Sequence, residues 1–199
     1  MRLWMIGSLV AALLGAAPLL AGAQDAGLAR VVIDTAFGEI AVDVDTERAP
    51  GTAANFLSYV DEGFYDGGQF HRTVTMNNQP DNDVRIEVIQ ASVNPDHADH
   101  GFGAIPLERT TVTGLAHVDG AISMARGAPD SASSSFFFCI GDQPSLDFGG
   151  DRNPDGQGFA AFGRVVSGMD VVRRIQQQPA DGQSLEPPVR ITSVSRAAR

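Results

Sequence analysis

Two short runs with a period of two stand near the start of the chain. Val31-Val32-Ile33-Asp34-Thr35 and Glu39-Ile40-Ala41-Val42-Asp43-Val44 flank Ala36-Phe37-Gly38, and Ile40, Val42 and Val44 fall on one side of the second run. This pattern predicts a β-hairpin. The period then changes. Ala53, Phe56, Leu57 and Val60 recur at helical spacing between Pro50 and Gly63, which predicts an amphipathic helix over 50–62. From Phe64 onward, short apolar runs are broken by Gly, Asp and Pro, and the clearest strands are expected at 85–90, 120–125, 136–140 and 159–166. A second helix is expected over 169–177, because Met169, Val172 and Ile175 share a face and Pro179 ends the pattern. Residues 92–118 read as a long irregular stretch, the kind of segment that often carries function. No repeat, heptad or low-complexity linker interrupts this order. One all-β domain of barrel or sandwich type is expected, its elements spanning about 28–196 within a mature domain of 24–199.

Ahead of that domain, Met1-Arg2-Leu3-Trp4 leads into an apolar stretch from Ile6 to Leu20 and then the small residues Ala21-Gly22-Ala23. This is the layout of a secretory signal peptide, residues 1–23, cut after Ala23. The rival reading, a transmembrane anchor, needs roughly 20 apolar residues, more than the run supplies. An exported, periplasmic protein with no membrane insertion after cleavage is the expectation.

Charge narrows the partners. There are 24 acidic residues against 14 basic ones, a net −10 that becomes one unit more negative once Arg2 leaves with the leader. Such a surface repels nucleic acid and anionic membranes, so proteins or small molecules are the expected partners. The single cysteine, Cys139, can form no intramolecular disulfide, and its place in Phe136-Phe137-Phe138-Cys139-Ile140 reads as a buried, inert thiol.

Several familiar site patterns fail on inspection. Asp151-Arg152-Asn153-Pro154-Asp155-Gly156 imitates the start of a calcium loop, yet Phe162 stands where the bidentate Glu should be. His97 and His100 with Asp96 and Asp99 make a poor ligand set on an unstructured loop. The serines from Ser131 to Ser135 lack the strained turn and Gly-x-Ser-x-Gly spacing of a hydrolase. No metal or cofactor is expected.

What remains is a set of widely spaced blocks: Phe70-His71-Arg72, Val88-Ile89-Gln90, Ser123-Met124-Ala125-Arg126, Pro129 through Phe137, and Ala161-Phe162-Gly163-Arg164-Val165. Together, over about residues 30–195, they resemble the cyclophilin-type peptidyl-prolyl isomerases. The likeness implies a closed eight-stranded antiparallel β-barrel capped by two α-helices, with the active groove on the outer barrel surface. It implies that Arg72 is the catalytic cation and that Gln90 supports Arg72 or the substrate carbonyl. Val88, Phe137, Leu146 and Phe159 would form the apolar proline pocket, Phe70 would join the substrate contacts, and the backbone around Ala125 and Arg126 would pair with an extended peptide. His71 would be structural. The implied partners are proline-containing unfolded or partly folded polypeptides, and a monomer is expected. A second reading keeps the same barrel as a peptide-binding or chaperone module with little catalysis.

The chain also departs from the family pattern. The segment 75–84 is longer than the usual link between the arginine and glutamine strands. Glu87 stands where the family has Phe, Ala91-Ser92 replaces Gly-Gly, Ser135 replaces a Gln, and Ser145 takes the place of a Trp found in cyclosporin-sensitive members. Strict alternation would turn Glu87 away from Val88 and Gln90, whereas the family likeness brings both the Glu87 and Val88 positions to the pocket.

Overall fold

The computed structural model describes residues 27–197. The expected leader, residues 1–23, lies outside the described residues.

The chain opens with the hairpin of β1 (Leu28–Thr35) and β2 (Gly38–Asp45), paired antiparallel from Leu28↔Asp45 to Thr35↔Gly38. Its turn is tied by Thr35, whose Oγ1 donates to the Gly38 carbonyl at 2.7 Å and accepts from Phe37 N–H at 3.1 Å. Helix α1 (Pro50–Asp61) follows and buries Ala53, Phe56, Leu57 and Val60. No residue adjacent to its first turn caps it by a side chain. The Glu108 carboxylate, far along the chain, accepts instead from the N–H groups of Gly51 and Thr52 at 3.1 and 2.7 Å. An anion there satisfies orphan donors and complements the helix dipole, which docks the long 92–118 stretch onto α1.

Then come β3 (Gln69–Val74), β4 (Val88–Ser92), the single-turn helix α2 (Thr110–Thr113), β5 (Ala121–Met124), β6 (Phe136–Cys139), β7 (Ala160–Ser167), α3 (Met169–Gln176), and the hairpin of β8 (Ala180–Asp181) with β9 (Ser184–Arg196). Neighbours around the sheet run β1-β2-β7-β5-β6-β4-β3-β9, and β9 returns to pair with β1. Eight antiparallel strands therefore close a ring, as expected, and β8 is a two-residue flap on β9. Helix α1 packs on β2, β7 and β9, and α3 on β2, β3 and β4. The third helix, α2, has no signature in the sequence, because four residues ended by a left-handed Gly114 (φ 68°) are too few to show a helical period.

The interior is filled by alternate residues of the strands, among them Val31, Ile33, Ile40, Phe70, Ile89, Ile122, Phe136, Phe138, Phe162 and Ile191. The opposite face of the same strands carries a smaller buried cluster: Val74, Ile86, Val88, Ala121, Phe137, Cys139 and Leu146, with Ala125 and Phe159 packed against it. This explains the uninterrupted apolar run at 136–140, where both faces of β6 are covered. Cys139 is fully buried and burial pushes its thiol well above the usual range, consistent with an inert group.

Candidate active site

Strand register builds the site. Arg72 lies opposite Gln90, Gln90 opposite Phe137, and Phe137 opposite Ser123, a lateral row across β3, β4, β6 and β5. Adjacent strands are about 4.8 Å apart, so residues distant in sequence become neighbours on one face. A bulge decides which face Arg72 takes. The pairing of β3 with β4 shifts between Phe70 and Arg72, so the two do not share a side as residues two apart normally would. Phe70 turns inward, fully buried against Phe136 and Phe138, and this corrects its expected place among the substrate contacts. Arg72 turns outward.

Outside the barrel the row borders a cavity of about 260 Å³. Its lining includes the expected residues Arg72, Val88, Gln90, Ala125, Arg126, Phe137, Leu146 and Phe159, and adds Ile86, Arg152 and Asn153. Two larger hollows, about 420 and 340 Å³, lie elsewhere and contain none of these residues. The smaller cavity combines an apolar wall with the donors of the strand row, which is how binding sites are built.

Phe137 and Phe159 meet edge to face at 5.4 Å and 88°. His117, fully buried, stacks behind Phe137 at 6.0 Å and 12°. Its Nδ1 lies 2.7 Å from Asp147 Oδ1 and its Nε2 2.9 Å from Ser123 Oγ. Asp147 is partly buried, which alone would raise its pKa, yet the hydrogen bonds from the His117 ring and backbone hold it below the usual carboxylate range. An ionised Asp147 accepts, so Nδ1–H donates. The three residue types match a hydrolytic triad, but Ser123 is completely buried, and the chain serves to fix the ring that walls the cavity.

Arg72 is held from two sides. Gln90 Oε1 accepts from Nη1 at 3.0 Å, and Gln183 Oε1 accepts from Nε and Nη2 at 2.9 and 2.6 Å. Burial lowers the pKa of this guanidinium, yet an arginine stays protonated. Gln183 is itself anchored: its Nε2 donates to Asn78 O at 3.1 Å, while Asn78 Nδ2 donates to the Thr73 and Gly182 carbonyls, each at 3.0 Å. The extended 75–84 segment thus braces the residue that aims Arg72. Nothing local in the sequence points to Gln183, because the contact exists only once β9 has paired with β3.

The same segment settles the pocket wall. Gln79, nearly fully buried, donates from Nε2 to the carbonyls of Thr75 (2.6 Å) and Ile86 (2.8 Å). With Ile86 pinned, Ile86, Val88 and Gln90 share the cavity face by simple alternation. Glu87 points the other way, its Oε1 accepting from Gln176 Nε2 of α3 at 3.3 Å. Alternation, and not the family likeness, describes this stretch.

Arg126 lines the cavity but its charge is spent. It makes a bidentate pair with Asp155 at 2.8 and 2.9 Å, donates from Nε to Gly158 O at 2.7 Å, and covers the Phe159 ring at 5.1 Å. The Asp155 carboxyl is held at about 2 by Arg126 and by the Gln157 N–H. Ala125 N–H donates to Ser135 O at 2.8 Å, while the Ala125 carbonyl and the Arg126 N–H have no partner among the described residues.

A family profile described as "Cyclophilin type peptidyl-prolyl cis-trans isomerase/CLD" matches residues 30–196. The chain belongs to this family. The cyclophilin is 35% identical over 148 residues to "Peptidyl-prolyl cis-trans isomerase A" of Dickeya dadantii (strain 3937), covering 74% of this chain and 70% of that one. It is 33% identical over 147 residues to "Peptidyl-prolyl cis-trans isomerase B" of Escherichia coli (strain K12), covering 73% and 83%. Among solved structures, a cyclophilin-type isomerase of Cryptosporidium parvum superposes with a TM-score of 0.69 at 19% identity, covering 86% of this chain and 99% of that one, and bears out the barrel fold. The same protein has been crystallised in the presence of the dipeptide Ala-Pro. This cyclophilin is thus an enzyme of the peptidyl-prolyl cis-trans isomerase class.

Proposed function

We propose that the cavity seats the proline ring of an Xaa-Pro segment and that Arg72 accelerates rotation about the preceding peptide bond. Rotation must break amide resonance, a barrier of about 18–20 kcal/mol, and without help takes on the order of 10–100 s. As the bond twists, the proline nitrogen regains its lone pair and becomes a better hydrogen-bond acceptor. A donor fixed there binds the twisted state more tightly than the planar one, and that difference is catalysis. No bond is made or broken and no proton moves. An acceleration of about five decades needs only about 7 kcal/mol.

The observation that carries the reading is the clamp on Arg72. Gln90 and Gln183 hold the guanidinium at the rim of a cavity walled by Val88, Phe137, Leu146 and Phe159. A module that only gripped peptides would gain little from orienting one cation this closely. The free Ala125 carbonyl and Arg126 N–H offer an extended substrate one strand-like pairing beside the cavity. The leader-like start of the chain supports a periplasmic role on exported proteins still folding.

The test is Arg72→Lys in a protease-coupled assay on a short Xaa-Pro peptide. A point-charge ammonium cannot copy the fork of donors, so kcat/KM is expected to fall about 100-fold while circular dichroism stays the same. Equal kcat/KM for both proteins would sink the proposal.

A further inference from the structure

The candidate site holds a second guanidinium with an open edge. Arg152 lines the same cavity as Arg72, and its Nη1 donates to Gln79 Oε1 at 2.9 Å and Val84 O at 2.6 Å. Its Nε and Nη2 donate to nothing among the described residues, and neither Arg72 nor Arg152 has a carboxylate within 4.0 Å. Arg72 keeps one N–H free on each terminal nitrogen after its bonds to Gln90 and Gln183. Beside Arg152, Asn153 lines the cavity, and its Nδ2 is buried with no partner among the described residues. Burial first, and the nearby Arg72 charge second, lower the Arg152 pKa, so the two cations feel each other.

The nearby acids do not answer this charge. Asp155 is consumed by Arg126, and Glu87 is turned to Gln176. In a chain with a net charge of −10, the cavity is a local pocket of unneutralised cations and spare N–H donors. The Nε and Nη2 edge of a guanidinium can take a carboxylate through two parallel hydrogen bonds. A buried donor such as Asn153 Nδ2 also costs free energy until it finds an acceptor.

Resting on the isomerase reading above, we infer that this site selects Xaa-Pro segments in which an Asp or Glu adjoins the proline, with Arg152 as the specificity-determining residue and Asn153 assisting. The same charges disfavour a Lys or Arg at that position, so selection works by repulsion as well as by attraction. The strut from Arg152 Nη1 to Gln79 and Val84 is compatible with this role, because it orients the guanidinium and leaves the recognising edge free.

The test is a peptide series on one scaffold with both ends blocked, carrying Glu, Gln or Lys immediately before the proline in one set and immediately after it in another. Dissociation constants from NMR titration are compared within each protein, so any loss of folding appears in the Gln peptide and cancels in the ratio. The Glu peptide of at least one set is expected to bind about tenfold more tightly than its Gln isostere, with Lys weakest. That ratio should collapse to near one in Arg152→Gln and be intermediate in Arg152→Lys, which keeps the charge but loses the fork. Equal binding of Glu and Gln peptides in both sets, or a ratio that Arg152→Gln leaves intact, overturns the inference. If the Gln peptides bind but show no accelerated cis-trans exchange, the isomerase reading fails and the binding ratio still decides this one. Failure of every peptide to bind overturns both.

Discussion

Gln183 Oε1 accepts hydrogen bonds from both Nε and Nη2 of Arg72, at 2.9 and 2.6 Å, across 111 residues of chain. The guanidinium plane is thereby fixed along one side, and Gln90 fixes the opposite terminal nitrogen. Removing the larger of these two restraints should cost orientation without emptying the cavity. Gln183→Ala is expected to lower kcat on the order of tenfold, with KM little changed, because Gln183 does not line the cavity. Steady-state kinetics on one Xaa-Pro peptide separate the two constants. A kcat within twofold of the unmodified protein would show that Gln90 alone suffices.

The pocket wall supplies a paired prediction. Ile86 lines the cavity, whereas Glu87 reaches Gln176 on α3. Ile86→Ala should raise KM several-fold through lost apolar contact with the proline ring, and Glu87→Gln should leave kcat/KM within about twofold. The reverse pattern, with Glu87→Gln changing turnover and Ile86→Ala silent, would place the carboxylate in the groove after all.

Ser145 is the middle residue of the short turn Pro144–Leu146, next to the cavity residue Leu146, at the position where the resemblance places an indole in cyclosporin-sensitive members. The unmodified protein should therefore be inhibited weakly by cyclosporin. Ser145→Trp should strengthen inhibition about tenfold by restoring an N–H donor. The only tryptophan of the chain is Trp4, in the segment expected to be removed on export, so after such a cleavage the new side chain also reports binding by fluorescence. Equal inhibition constants for the two proteins would refute the assignment.

His71 makes a prediction about pH and stability. It sits in the bulge of β3 with its Nδ1 buried and without a hydrogen-bond partner, and burial, opposed by the Gln69 backbone and aided by the charge of Arg72, pushes its pKa below the usual value. The unfolded chain then takes up a proton that the folded chain refuses. Stability from this source is complete above about pH 6.5 and is lost as pH falls below that value toward the lowered folded pKa. Thermal melts at pH 7.5 and 5 should show a drop in Tm that His71→Asn reduces. An unchanged slope in the variant would assign the acid sensitivity to other groups.

Much of the barrel is legible in the sequence, for a physical reason. The β1–β2 hairpin and α1 each bury one face against a common core, so their periods are clean, and the residues named from the family likeness, Phe70 excepted, converge on one cavity, with Arg72, Val88, Gln90 and Phe137 brought there by strand register. What is not legible depends on distant partners. β9 carries Pro187 and Pro188, which erase the usual strand signature. Gln183 and Arg152 look like ordinary loop residues until β9 and the 149–158 loop are folded against the 75–84 segment. Phe70 misleads for the opposite reason: a bulge is a departure from alternation, and nothing in Phe70-His71-Arg72 announces it.

The seam of the barrel is its final strand. β9 joins β1 on one side and β3 on the other, and its hairpin with β8 delivers Gln183 to Arg72. A chain emerging from a ribosome or a translocation channel, N-terminus first, exposes Arg72 long before residue 183 follows. Until then the ring is open and the guanidinium has lost its principal brace. Closure also waits on contacts between the two ends of the domain, which form slowly because they are distant in sequence. An unfinished copy thus lacks both the closed ring and the brace on Arg72, and its own prolines must reach their isomers unaided or with help from a completed neighbour.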